Sequence, residues 1–166
     1  MLKRLFSTPI KRLYIVLGES LARIIFQLMT AVILIVFGVL LYNFTLAHGF
    51  MTFLEMMLLC LMGVVVFMGF GYTISGLAKS QHVIPVYANL FMFPQFFLSG
   101  TFFPKTLLPA FLQPVLKFIP LTAMNDAMRK ISFEGAHIWE VGSELAILLG
   151  WAVVAYALAV KTFKWE

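Results

Sequence analysis

The sequence predicts an all-α integral membrane protein. It has four transmembrane helices, both termini on the cytoplasmic side, and an outer amphipathic or re-entrant helix pair between spans three and four. Three observations lead there. Of 166 residues, 62% are hydrophobic and only 11% charged, with a mean hydropathy of +0.99. A soluble domain carries roughly 25% charged residues, so too little polar surface remains to cover a globule in water. Four nearly uncharged runs match the ~20 helical residues that cross about 30 Å of hydrocarbon. The net charge of +5 is gathered in short flanks of those runs, where topology signals lie, rather than in a patch suited to nucleic acid.

Residues 1–20 read as a short cytoplasmic helix and an elbow. Leu2, Leu5 and Phe6 form a small apolar face beside Lys3 and Arg4, and Ser7-Thr8-Pro9 interrupts it. Thr8 as N-cap and Pro9 at the first helical position restart a helix that runs into the first span. These residues suit either a contact surface or a polybasic flank that fixes topology and touches anionic lipid. The basic part extends to Arg12 or Arg23 with no small-residue cleavage site after it, so the segment is expected to be retained.

The transmembrane domain follows over 21–166, with spans at about 21–43, 54–78, 83–103 and 139–161. Glu19, Arg23 and Gln27 line one face at the start of the first span; Glu placed four before Arg is the favourable order. The pattern suits a structural pair or a polar lining of an inward-facing cavity. The loop 43–52 has no Lys or Arg, as an outer loop should. In the second span Cys60 is expected to be lipid-facing or helix-packing filler, and Gly71 and Ser75 a small-residue pair for helix packing.

The third span ends in the aromatic run Phe93-Pro94-Gln95-Phe96-Phe97-Leu98-Ser99-Gly100-Thr101-Phe102-Phe103-Pro104. A plain anchor needs no such ending; a helix that stops at the membrane face and hands over to a partly re-entrant structure does. The next apolar stretch, 107–119, is too short to cross and is broken by Pro109, Pro114 and Lys117, whose missing hydrogen bonds lipid cannot replace. Outer helices are therefore expected at about 105–119 and 121–134. In the second, Leu121, Met124, Met128 and Ile131 recur opposite Asp126, Arg129 and Lys130.

In the last span Gly142, Ala146 and Gly150 are spaced for close helix packing, and Glu140 and Glu144 lie on roughly the opposite face, toward outer water or the amphipathic helices. A proton relay through these carboxylates has no nameable partner. With four spans, Lys3, Arg4, Lys11, Arg12, Arg23, Lys79, Lys161 and Lys164 share one side, and Lys105, Lys117, Arg129 and Lys130 the other. The richer side is cytoplasmic. His48, His82 and His137 sit in separate loops or span ends without ligand spacing, so no metal and no cofactor is expected. No phosphate-binding loop, zinc-protease motif or nucleophile elbow occurs, and an intramembrane enzyme ranks last.

Three stretches together resemble the C-terminal portion of type-2 ABC transporter permeases, the membrane subunits of ATP-driven exporters. They are Leu2 to Ile10 with its continuation to Glu19, Phe93 to Pro104, and the series Leu108-Pro109, Leu112-Gln113-Pro114 and Ile119-Pro120-Leu121-Thr122-Ala123 with Asp126, Ala127 and Arg129. The resemblance implies that two permease subunits, alike or different, pair with two ABC ATP-binding subunits in the plasma membrane. It makes Leu2, Lys3, Arg4, Leu5 and Phe6 the coupling helix that docks on the ATPase. Pro94, Phe96, Phe97, Ser99, Gly100, Phe102, Phe103 and Pro104 become the extracellular gate, with Glu140 and Glu144 at its mouth. The family pattern has six spans, so a separate or missing N-terminal half is also implied. Expected function is export of an apolar or amphiphilic substrate by alternating access; the alternative is a non-transporting or truncated membrane protein that only packs with partner helices. Expected partners are the ATPase, a second permease subunit and membrane lipid, but no nucleic acid.

Overall fold

The computed structural model describes residues 12–42, 46–101 and 113–162, and among these the secondary structure is entirely helical. The helices are α1 (Arg12–Tyr42), α2 (Phe50–Leu77), α3 (Ile84–Leu98), a single turn α4 (Gln113–Leu116), α5 (Pro120–Phe133) and α6 (Gly142–Thr162), the last preceded by a 3-10 turn at Ile138–Val141. Among the described residues, three helical stretches are long and apolar enough to cross a membrane: Gly18–Leu41, Phe50–Leu77 and Ile138–Thr162. The protein is a multi-pass membrane protein.

The core is the pair α2–α6, and the two helices run in the same direction. Glu55 meets Ile138 at their starts, Thr73 donates to the Ala155 carbonyl at 2.8 Å further along, and Gly76 lies against Thr162 at their ends. Small residues let the backbones approach: a Cβ at Gly69 would sit 3.0 Å from the Ala155 Cβ and 3.1 Å from the Tyr156 ring. The positions read from the sequence as packing sites do not meet a neighbour within this chain. Gly71, Ser75, Gly142, Ala146 and Gly150 are all exposed in this chain, and the three glycines have open space where a Cβ would stand. Small residues at spacing four occur on more than one face of α2 and α6, so spacing alone does not choose between them.

Two neighbours in the same direction require a return path between them. The sequence places one full span there, 83–103; the structure instead ends α3 at Leu98 after 15 residues, about 22 Å of helix. Pro85 in the first turn fits the helix start, where no amide hydrogen bond is lost. Phe91 meets Phe70 with ring centroids 4.7 Å apart, one step along α3 from its entry. The helix stops about halfway along α2, at Gly100, whose φ of 81° falls in the left-handed region that glycine tolerates best.

The second half of the return is α5. Pro120 opens it and Met124 lies against Gly63, midway along α2. At its far end Gly135, with φ 68°, turns the chain and places its carbonyl on His48 beside the start of α2. Helix α5 thus climbs from mid-bundle to the end where α2 and α6 begin. Its buried face is Ala123, Ala127 and Ile131, with Met124 and Met128 half-buried beside them; of the apolar face expected from the sequence, Ile131 is the residue fully buried and Leu121 is half-buried. Within 113–120 only Leu116 and Pro120 are buried, while Val115 and Phe118 are exposed.

Helix α1 stands apart. Its apolar window has none of its residues buried, although Ile35 touches the core and the Ser20 and Tyr72 hydroxyls meet at 2.5 Å. Arg23 and Glu19 form the expected pair at 2.6 Å, both exposed.

Candidate functional site: the broken return between α2 and α6

The return path breaks where α3 ends and α5 begins, and polar side chains collect there. Gln95 and Ser99 lie one turn apart on α3 and both are buried. The Ser99 and Thr101 hydroxyls meet at 2.7 Å, and Asn125 Nδ2 on α5 donates to Thr101 Oγ1 at 2.6 Å. The Gln95 amide nitrogen turns back to the Phe91 carbonyl at 3.4 Å, a weak bond in the turn that Pro94 disturbs. Gln95 Oε1 and the Thr122 hydroxyl are buried with no hydrogen-bond partner among the described residues. Unpaired buried acceptors and hydroxyls are costly. The break thus carries neutral hydrogen-bonding side chains, with Gln95, Ser99 and Thr122 buried and Thr101 exposed.

Aromatic groups surround it. Phe96 and Phe97 are exposed on the outer side of α3. Phe70 packs on Phe91 and on Trp151, whose indole nitrogen donates to the Phe118 carbonyl at 2.6 Å. That bond fixes the short α4–α5 connection to the middle of α6.

Of the residues singled out in the sequence, Pro94, Phe96, Phe97, Ser99 and Gly100 do meet at one break. Phe102, Phe103 and Pro104 lie outside the described residues, as do Leu2, Lys3, Arg4, Leu5 and Phe6. Glu140 and Glu144 do not act as a pair. Glu144 accepts from Lys130 Nζ at 2.7 Å and from Ser143 at 2.7 Å, whereas Glu140 accepts the His137 amide at 3.0 Å. Sequence reading missed Gln95, Thr122 and Asn125. Only their polarity within apolar or amphipathic runs could have pointed to them.

A family model described as the ABC-2 type transporter matches residues 1–133. Nodulation protein J of Rhizobium meliloti (strain 1021) is 32% identical over 91 residues, covering 55% of this chain and 34% of that protein. The probable multidrug ABC transporter permease YbhR of Escherichia coli (strain K12) is 26% identical over 163 residues, 98% of this chain and 44% of that protein. The linearmycin resistance permease protein LnrN of Bacillus subtilis (strain 168) is 24% identical over 96 residues, 58% of this chain and 25% of that protein. The chain thus spans less than half the length of these curated relatives. No solved structure matches it significantly. With a match over most of its length and several helices able to cross a membrane, the chain belongs to the ABC-2 type transporter family.

Proposed function

We propose that the chain is the C-terminal membrane part of an ATP-driven exporter, moving an apolar or amphiphilic substrate outward by alternating access. The observation that carries this reading is the return path broken at Gly100, with neutral polar side chains gathered at the break and exposed Phe96 and Phe97 beside it. Irregular backbone at membrane depth is tolerated only when buried in protein or facing a water-filled cavity, and broken helices are a recurrent way to build a transport path. Two of the relatives are named for multidrug transport and for linearmycin resistance, which favours amphiphilic cargo. In this reading Phe96, Phe97, Phe102 and Phe103 gate the exit, Pro94, Ser99, Gly100 and Pro104 shape it, and Glu140 and Glu144 flank its mouth.

A separate ATP-binding subunit supplies the energy by docking on Leu2, Leu5 and Phe6, with Lys3 and Arg4 at the rim. A second permease subunit, alike or different, completes the assembly, and further helices supply what the chain lacks relative to its longer relatives. Co-purification with an ABC ATPase and transport-coupled ATP hydrolysis test the assignment. Leu5→Asp and Phe6→Asp are expected to abolish the coupled hydrolysis and weaken co-purification; unchanged values for both variants would remove the docking claim.

A further inference from the structure

Helix α5 carries charged residues at a depth where lipid does not accept them. Its far end is tied to the end of the bundle where α2 and α6 begin. His48 Nε2 donates to the Gly135 carbonyl at 2.9 Å, and the His137 ring stacks on His48 with centroids 4.7 Å apart. His137 Nδ1 lies 3.1 Å from Oε1 of Glu55, a buried side chain that also accepts the Ile138 amide. The near end is set by Met124, which lies against Gly63 at the middle of α2. A helix gains at most about 1.5 Å of height per residue. Asp126 therefore stands no more than about 3 Å, and Arg129 no more than about 8 Å, above that level. With α2 centred in about 30 Å of hydrocarbon, both lie within its outer half.

Thr122, Asn125 and Arg129 follow one another up one face of α5, three and four residues apart, with Asp126 beside them. Exposure rises along this stripe. Thr122 is fully buried and its hydroxyl has no partner, Asn125 is half-buried and bonded to Thr101 across the break, and Arg129 is exposed. Arg129 Nε lies 3.6 Å from Glu134, with the two side chains 74% and 53% exposed. Asp126 lies near Lys130, whose ammonium is bound to Glu144. Ionisable side chains at membrane depth face the bundle interior or water. The interior is taken by the opposite face of α5, through Ala123, Ala127 and Ile131. A protein cover would strip the hydration of Arg129 and Glu134, which is offset only by close, well-formed ion pairs. A contact of 3.6 Å between two mostly exposed side chains is the geometry of a solvated pair. Where the chain meets lipid at a similar depth, as at Leu34 and Phe37 of α1, its exposed face is apolar.

We propose that Asn125, Asp126 and Arg129 form one wall of a water-filled vestibule, which enters the membrane from the outer side and ends at the break with Thr122 as its floor. Thr101, exposed at the break and bonded to Asn125, stands at its lower edge. The vestibule keeps Arg129 and Glu134 hydrated and brings outer water down to the Thr101–Asn125 hydrogen bond at mid-bundle. It rests on the depth and polarity of α5, not on cargo or on ATP.

The test places single cysteines in a Cys60→Ala background of the full chain, in sealed right-side-out vesicles from cells that express it with its membrane partners. The probe is a water-soluble, membrane-impermeant methanethiosulfonate added outside, and Ala47→Cys in the outer loop gives the reference rate. Asn125→Cys and Arg129→Cys are expected to react at least tenfold faster than Leu34→Cys and Phe37→Cys, and Thr122→Cys more slowly than Asn125→Cys. Asp126→Cys, on the same face, takes the place of Asn125→Cys if that variant does not accumulate. Rates at 125 and 129 as low as those at 34 and 37 would mean that lipid or protein covers this face, and would overturn the vestibule. A rate at 122 equal to that at 125 would overturn its floor. None of these readouts needs ATP hydrolysis or a substrate, so they fail independently of the exporter reading.

Discussion

At the residue scale the molecule turns on contacts that a small change in side-chain volume decides. Gly69 is pressed against Ala155 and Tyr156, while Gly71, two residues on, faces open space. Gly69→Leu is expected to lower stability by about 1–3 kcal/mol through overpacking between α2 and α6. Gly71→Ala is expected to be neutral or to stabilise slightly, since alanine favours the helix. Thermal unfolding of the two variants in the same detergent checks the contrast, and equal losses would contradict the packing described. The sequence displays both glycines alike; only the rotation of α2 against α6 separates them. The same holds for His48 and His137, which lie 89 positions apart yet stack. Glu55 carried no signal of burial, because one acidic residue near a helix start is also what a membrane edge tolerates.

At the element scale α5 is held in place by one charged contact and an apolar face. Lys130 and Glu144 bridge α5 to α6 at 2.7 Å, with side chains 38% and 13% exposed. Such a partly exposed pair is worth about 0.5–1 kcal/mol after solvent screening. A double-mutant cycle of Lys130→Met and Glu144→Gln is expected to return a coupling of that size. Free lysine and glutamate side chains titrate at about pH 10.4 and 4.3, so both partners are charged across the neutral range. The coupling is therefore expected to be the same at pH 6 and pH 8.5; a coupling that halves over that range would show the pair is not the contact described. The amphipathic face of α5 was legible from its period. The depth to which the helix sinks was not, since Ala123 and Ala127 read as weakly apolar whether they face lipid headgroups or Gly63 and its neighbours.

At the scale of the whole molecule the parallel run of α2 and α6 makes α3 and α5 share one return across the membrane. This predicts that Ala47 and Ser80 lie on opposite sides. In a Cys60→Ala background, cysteines placed at these two positions are expected to react with an impermeant thiol reagent from opposite faces of sealed vesicles, position 47 from outside. Reaction of both from one face would refute the arrangement. The uncovered apolar length of α1 fits a helix whose remaining neighbours are lipid or other chains. By itself the sequence determined the solvent, the helical class and the positions of the long apolar helices, because hydropathy and length act locally. Only the tertiary structure decided that α3 stops at mid-bundle, that Gly69 rather than Gly71 meets a neighbour, and that Glu55, His48 and His137 share one site. Each of those depends on how helices rotate and slide against one another, and that is set by packing among residues distant in sequence.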